Sequence, residues 1–61
     1  MDEIRVEDEV AVYGAPRYRD GLLGKVLLFG AEVDDRGRLA VISDRSGEMH
    51  VIPAKHLMKV V

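Results

Sequence analysis

Sixty-one residues, 48% of them apolar and 33% charged, are enough for one small folded domain with a single core and too few for two. The chain has no cysteine, so neither a disulfide framework nor a thiolate zinc site can supplement that core. Nine Lys and Arg against eleven Asp and Glu leave a net charge of −2, which speaks against the broad basic footprint of non-specific nucleic-acid binding and leaves room only for a local basic patch.

Uncharged runs such as Val26 to Ala31 fall far short of the roughly 20 apolar residues a membrane span requires. The acidic start, Met1-Asp2-Glu3-Ile4-Arg5, is the opposite of a secretory leader, and a cytoplasmic location is expected.

From Ile4 to Val12 the apolar residues Ile4, Val6, Val10 and Val12 recur at even spacing, which is strand periodicity. The three carboxylates of Glu7-Asp8-Glu9 repel one another and favour a solvated turn, so the first strand is expected over Glu9 to Tyr13. Gly14-Ala15-Pro16-Arg17-Tyr18-Arg19-Asp20-Gly21 carries the punctuation of a long loop. Leu22 to Phe29 is nearly continuously apolar around Gly24, which suits a bent strand better than a helix, since no polar cap precedes it.

Asp34-Asp35-Arg36-Gly37 reads as a hairpin turn, Arg38 to Ser43 as a strand, Asp44-Arg45-Ser46-Gly47 as a second turn of similar chemistry, and Glu48 to Ile52 as the next strand. Pro53-Ala54-Lys55-His56-Leu57 breaks the run, and Met58 to Val61 forms a short last strand. The expectation is a single all-β domain over residues 1–61. An open sheet of five strands leaves two edges, and closure into a barrel is the usual way to pair them.

This order of strand, long loop, glycine-bearing bent strand, two tight hairpins, proline-started turn and short last strand resembles the SH3-like barrels across essentially the whole chain. The resemblance implies a five-strand SH3-like barrel with a 3-10 turn before the last strand, and the ending Met49 to Val61 carries most of it. Glu9 to Tyr13 followed by Gly21-Leu22-Leu23-Gly24-Lys25-Val26 looks like a KOW motif, which implies contact with RNA or with the transcription or translation machinery. A more distant likeness is to the plasmid-borne dihydrofolate reductase barrel, which works as a tetramer around a central pore. The strand that aligns with its catalytic one reads Met49-His50-Val51-Ile52 and lacks the glutamine and tyrosine of that family, so reductase activity does not carry over. Homo-oligomerisation through the strands does.

Arg17-Tyr18-Arg19, with Tyr13 before it, is the sharpest candidate site. Two guanidiniums beside an aromatic ring can pair with phosphates or carboxylates while the ring stacks on a base or packs on a proline. The competing reading has Tyr18 covering an end of the barrel and the arginines solvating it or pairing with Asp20. Lys25 joins the set as a phosphate contact in the nucleic-acid reading, and His50 as a polar group facing solvent or a neighbouring subunit. His50 and His56 are too few for a closed zinc site unless carboxylates such as Glu48 join them, and no metal is expected. Ser43 and Ser46 sit where hydroxyls bond the local backbone, no phosphate-cradling glycine loop is present, and neither catalysis nor a cofactor is expected.

Leu27, Phe29 and Val33 on one face of the bent strand, with Val26 and Leu28 on the other, are more apolar than a small barrel hides, which points to an interface or, equally, to Phe29 covering one barrel end. The expected function is therefore a non-catalytic binding module for a protein partner or for copies of itself. Nucleic-acid binding is the alternative, and a pore enzyme assembled between subunits is a remote third.

Overall fold

The computed structural model describes residues 3–32 and 37–60. Strands β1 (Glu9–Val12), β2 (Leu22–Glu32), β3 (Arg38–Asp44), β4 (Met49–Pro53) and β5 (Leu57–Lys59) form one antiparallel sheet in the order β4-β3-β2-β1-β5. A 3-10 turn, Ala54–His56, links β4 to β5. No helix in the described residues is long and apolar enough to cross a membrane.

The strand pattern matches the sequence expectation with shifted ends. Tyr13 falls outside β1, β2 runs on to Glu32, and β4 runs from Met49 to Pro53 instead of Glu48 to Ile52. β5 begins at Leu57 and not at Met58. The expected turn residues Asp34, Asp35 and Arg36 lie outside the described residues, as do Val33 and Val61.

The core draws on every strand: Val10 and Val12 from β1, Val26 from β2, Ala40 and Ile42 from β3, Ile52 from β4 and Leu57 from β5 form one buried cluster. A flat sheet cannot bury one face against itself, so this cluster requires the sheet to curl. Two features of β2 let it bend. A Cβ on Gly24 would lie 3.0 Å from the Ile42 Cδ1 and 3.0 Å from the Ser43 carbonyl oxygen, so only glycine allows β2 and β3 to approach this closely there. Two residues on, Val26 pairs with Ile42 while Leu28 pairs with Val41, which leaves Leu27 as the extra residue of a β-bulge.

That bulge corrects the expected face assignment. Val26 and Phe29 turn inward and Leu27 and Leu28 turn outward, because one inserted residue reverses the alternation downstream. Barrel closure is corrected too: among the described residues no ladder joins β4 to β5, and each remains an edge.

The segment before β1 turns as the acidic trio implied. Asp8 N–H donates to the Arg5 carbonyl (3.1 Å), and the Asp8 carboxylate accepts from the Arg5 N–H (2.8 Å). Glu7 is held at φ 78°, the left-handed region that side chains other than glycine rarely adopt.

Candidate functional site

The long loop between β1 and β2 is pinned at its base. Gly21 N–H donates to the Val12 carbonyl (2.7 Å), and Gly14 N–H donates to Asp20 Oδ1 (2.9 Å). Asp20 is therefore the loop's own clamp and not the partner of its arginines. Neither Arg17 nor Arg19 is in an ion pair among the described residues.

Within the loop, Tyr18 N–H donates to the Ala15 carbonyl (3.0 Å), a turn that folds Ala15 into the core and lays Tyr18 over its edge. The Tyr18 ring meets His50 edge-on, with centroids 5.3 Å apart and planes at 84°. This is the covering role set against the functional reading at the outset, but it is incomplete. Tyr18 is only half-buried, and it lines a cleft of about 390 Å³ with Ala15, Pro16, Arg17, Val51, Pro53 and His56.

Half of that cleft comes from far along the chain. Val51 and Pro53 lie on the outward face of β4, and His56 ends the 3-10 turn. His56 is held by the residue that follows β1: Tyr13 N–H donates to the His56 carbonyl (2.9 Å), and His56 Nδ1 lies 3.2 Å from the Tyr13 carbonyl oxygen, which can only accept. No carboxylate lines the cleft, whereas Arg17 and His56 do. Polar and apolar surface share the cleft, and the Arg17 guanidinium is the fixed charge on its rim.

The structure divides the six residues singled out in the sequence. Arg17 and Tyr18 line the cleft, and His50 supports Tyr18 from beneath. Tyr13 contributes its backbone to His56, while its side chain is exposed and away from the cleft. Arg19 lines a separate depression with Arg45 and Ser46. Lys25 lines another, of about 500 Å³, where Glu7, Glu9 and Arg45 also sit and Arg45 pairs with Glu9 at 3.3 Å. Arg17 thus stands apart from Arg19 and Lys25, whose two depressions adjoin through Asp44 and Arg45.

Sequence reasoning did not place Pro16, Val51, Pro53 and His56 in a site. The signal was the even spacing of Met49, Val51 and Pro53, which puts three apolar residues on one face of a strand whose other face fills the core.

Outside the cleft, Asp44 organises the β3–β4 hairpin and lines the other two depressions. Its Oδ1 accepts from the Ser46 N–H (2.9 Å), the Ser46 hydroxyl (2.7 Å) and the Glu48 N–H (3.0 Å), and its Oδ2 lies 2.8 Å from His50 Nε2. The His50 contact, followed by the bonds from Ser46, holds the carboxyl far below the usual carboxylate range. Asp44, Glu48 and His50 offer ligand atoms within 4.8 Å of one another. Both oxygens of Asp44 already have partners in the hairpin, which accounts for the arrangement as a turn lock. The chain matches no protein-family profile, no curated protein and no solved structure.

Proposed function

We propose that the protein is a non-catalytic binding module that docks an extended protein segment along β4 and into the cleft under the long loop. One observation carries this reading: Pro16, Tyr18, Val51 and Pro53 form an apolar surface beside an unpaired strand edge, rimmed by Arg17 and His56 with no carboxylate among them. Main-chain bonds to a free edge supply affinity in such a mode, and pockets for alternate side chains supply selectivity. Arg17 on the rim favours an acidic group at one end of an otherwise apolar segment. The same reading takes the curled sheet as an SH3-like barrel left open between β4 and β5, supported by the strand order and the 3-10 turn.

Fluorescence anisotropy with labelled extended peptides of apolar and acidic composition tests it. Tyr18→Ala and Arg17→Ala should each weaken binding, by about tenfold for the tyrosine, and Lys25→Ala should leave it unchanged. An affinity indifferent to Tyr18 and Arg17 removes the cleft as the site. The KOW-like alternative predicts instead that short RNA binds at low salt and dissociates steeply as salt rises, with Arg19 and Lys25 contributing as much as Arg17.

A further inference from the structure

We infer that the segment docked on the edge of β4 is β4 of a second copy, so that two chains pair antiparallel about a two-fold axis at Val51. This rests on the reading of that edge as a docking site and names its occupant.

The phase of the β3–β4 ladder shows which backbone groups are on offer. Asp44 N–H donates to the Glu48 carbonyl at the mouth of the hairpin (2.9 Å). In an antiparallel ladder, pairs that exchange backbone bonds alternate with pairs that do not. Counting from Asp44 and Glu48, the bonded pairs are Ile42 with His50 and Ala40 with Ile52. Met49, Val51 and Pro53 therefore turn their backbone groups away from β3, toward the open edge. Pro53 loses nothing by lacking an N–H toward β3, and its carbonyl still faces outward.

Set against a two-fold at Val51, these groups match themselves except for the Met49 carbonyl, which faces Pro53 and its missing N–H. Val51 N–H meets the Val51 carbonyl of the second copy, and Met49 N–H meets the Pro53 carbonyl, each contact occurring twice. On the outer face Val51 then lies beside its own counterpart and Met49 beside Pro53. Met49 is 68% and Val51 57% exposed in the single chain. The apolar row continues inward on each side, because Val51 pairs with Val41 and Val41 with Leu28, itself 51% exposed. Two copies would thus join two short rows into one stripe across six strands.

Charge supports the same alignment. Glu48 precedes β4 and Lys55 follows it, both exposed. Antiparallel pairing about Val51 brings each Glu48 to the Lys55 end of the other chain, so the two ends attract. The edge carries one guard against strand addition, Pro53 at its end, while Met49-His50-Val51-Ile52 contains no Lys, Glu or Asp. The opposite edge is guarded, since Lys59 of β5 pairs with Asp8 at 3.6 Å.

Sedimentation equilibrium of the full chain over a range of concentrations, combined with hydrogen exchange, tests the inference. The expected mass at high concentration is twice that of one chain, with the Met49 and Val51 amides gaining protection as the dimer forms. Val51→Lys should give a single-chain mass at every concentration, with an unchanged circular dichroism spectrum showing that it folds. Glu48→Lys and Lys55→Glu should each raise the dimer dissociation constant about tenfold, and the two together should restore it. A single-chain mass at millimolar concentration overturns the inference, as does a dimer in which Val51→Lys has no effect. If that monomer still binds an extended peptide through Tyr18 and Arg17, self-pairing fails while the docking site stands.

Discussion

His50 Nε2 and Asp44 Oδ2, 2.8 Å apart, tie strand β4 to the last residue of β3 across the mouth of the hairpin. The same carboxylate anchors the turn through Ser46 and Glu48, and the same imidazole carries the edge of Tyr18. One aspartate thus links a local turn to the base of the cleft.

Asp44→Asn should destabilise the protein at neutral pH, and the difference should shrink in acid. The folded-state carboxyl is held below its unfolded value of about 3.9, so its contribution is fully present above that value and is lost as pH falls through the folded one. Urea midpoints of the two proteins measured from pH 7 down to pH 2.5 should begin to converge below about pH 4 and keep narrowing, with part of the gap remaining at pH 2.5. A constant gap over that range would show that ionisation of Asp44 does not stabilise the fold.

Gly24→Ala should cost about 1–3 kcal/mol, because the new methyl meets a backbone oxygen and a core side chain at 3.0 Å and the oxygen cannot yield without moving β3. Gly30→Ala, whose Cβ would find the Leu39 carbonyl oxygen at 3.7 Å, serves as the comparison and should change the denaturation midpoint little. Equal effects at the two positions would argue against a tight β2–β3 approach at Gly24.

Ile42→Ala and Ile52→Ala each empty a fully buried position and should cost about 2–5 kcal/mol. For a chain of this size that is a large share of the total stability, so calorimetry should find a strongly lowered or absent transition. The conservative Ile52→Val should retain a cooperative transition at a cost of about 1 kcal/mol.

Glu7→Gly should raise stability modestly, since glycine adopts φ 78° without the steric cost borne by glutamate. Arg45→Ala, which breaks an exposed pair with Glu9, should change stability by less than about 0.5 kcal/mol. Thermal denaturation of both variants against the parent distinguishes a backbone effect from a surface-charge effect.

The turns were legible because their chemistry is local. Asp44-Arg45-Ser46-Gly47 needs an aspartate that bonds its own backbone and a glycine at positive φ, and the structure has both, with Gly47 at φ 91°. The candidate site was legible only in part. Tyr18 and Arg17 stood out by their neighbours in the chain, whereas Val51, Pro53 and His56 join them only because β4 and the turn after it fold back beside the loop. Arg19 and Lys25, close to Tyr18 in sequence, point to other depressions for the same reason.

By its alternation and its Gly, Pro and Asp spacing, the sequence alone determined an all-β chain of five strands with a proline-started turn before the last, since those features act over two to six residues. Tertiary structure decided which faces are buried and which edges are open. The Leu27 bulge arises from register against β3, and a slip of one residue there reverses inward and outward for everything that follows. The free edge of β4 likewise depends on how far the sheet curls, a property of all five strands packing on one core and of no single segment.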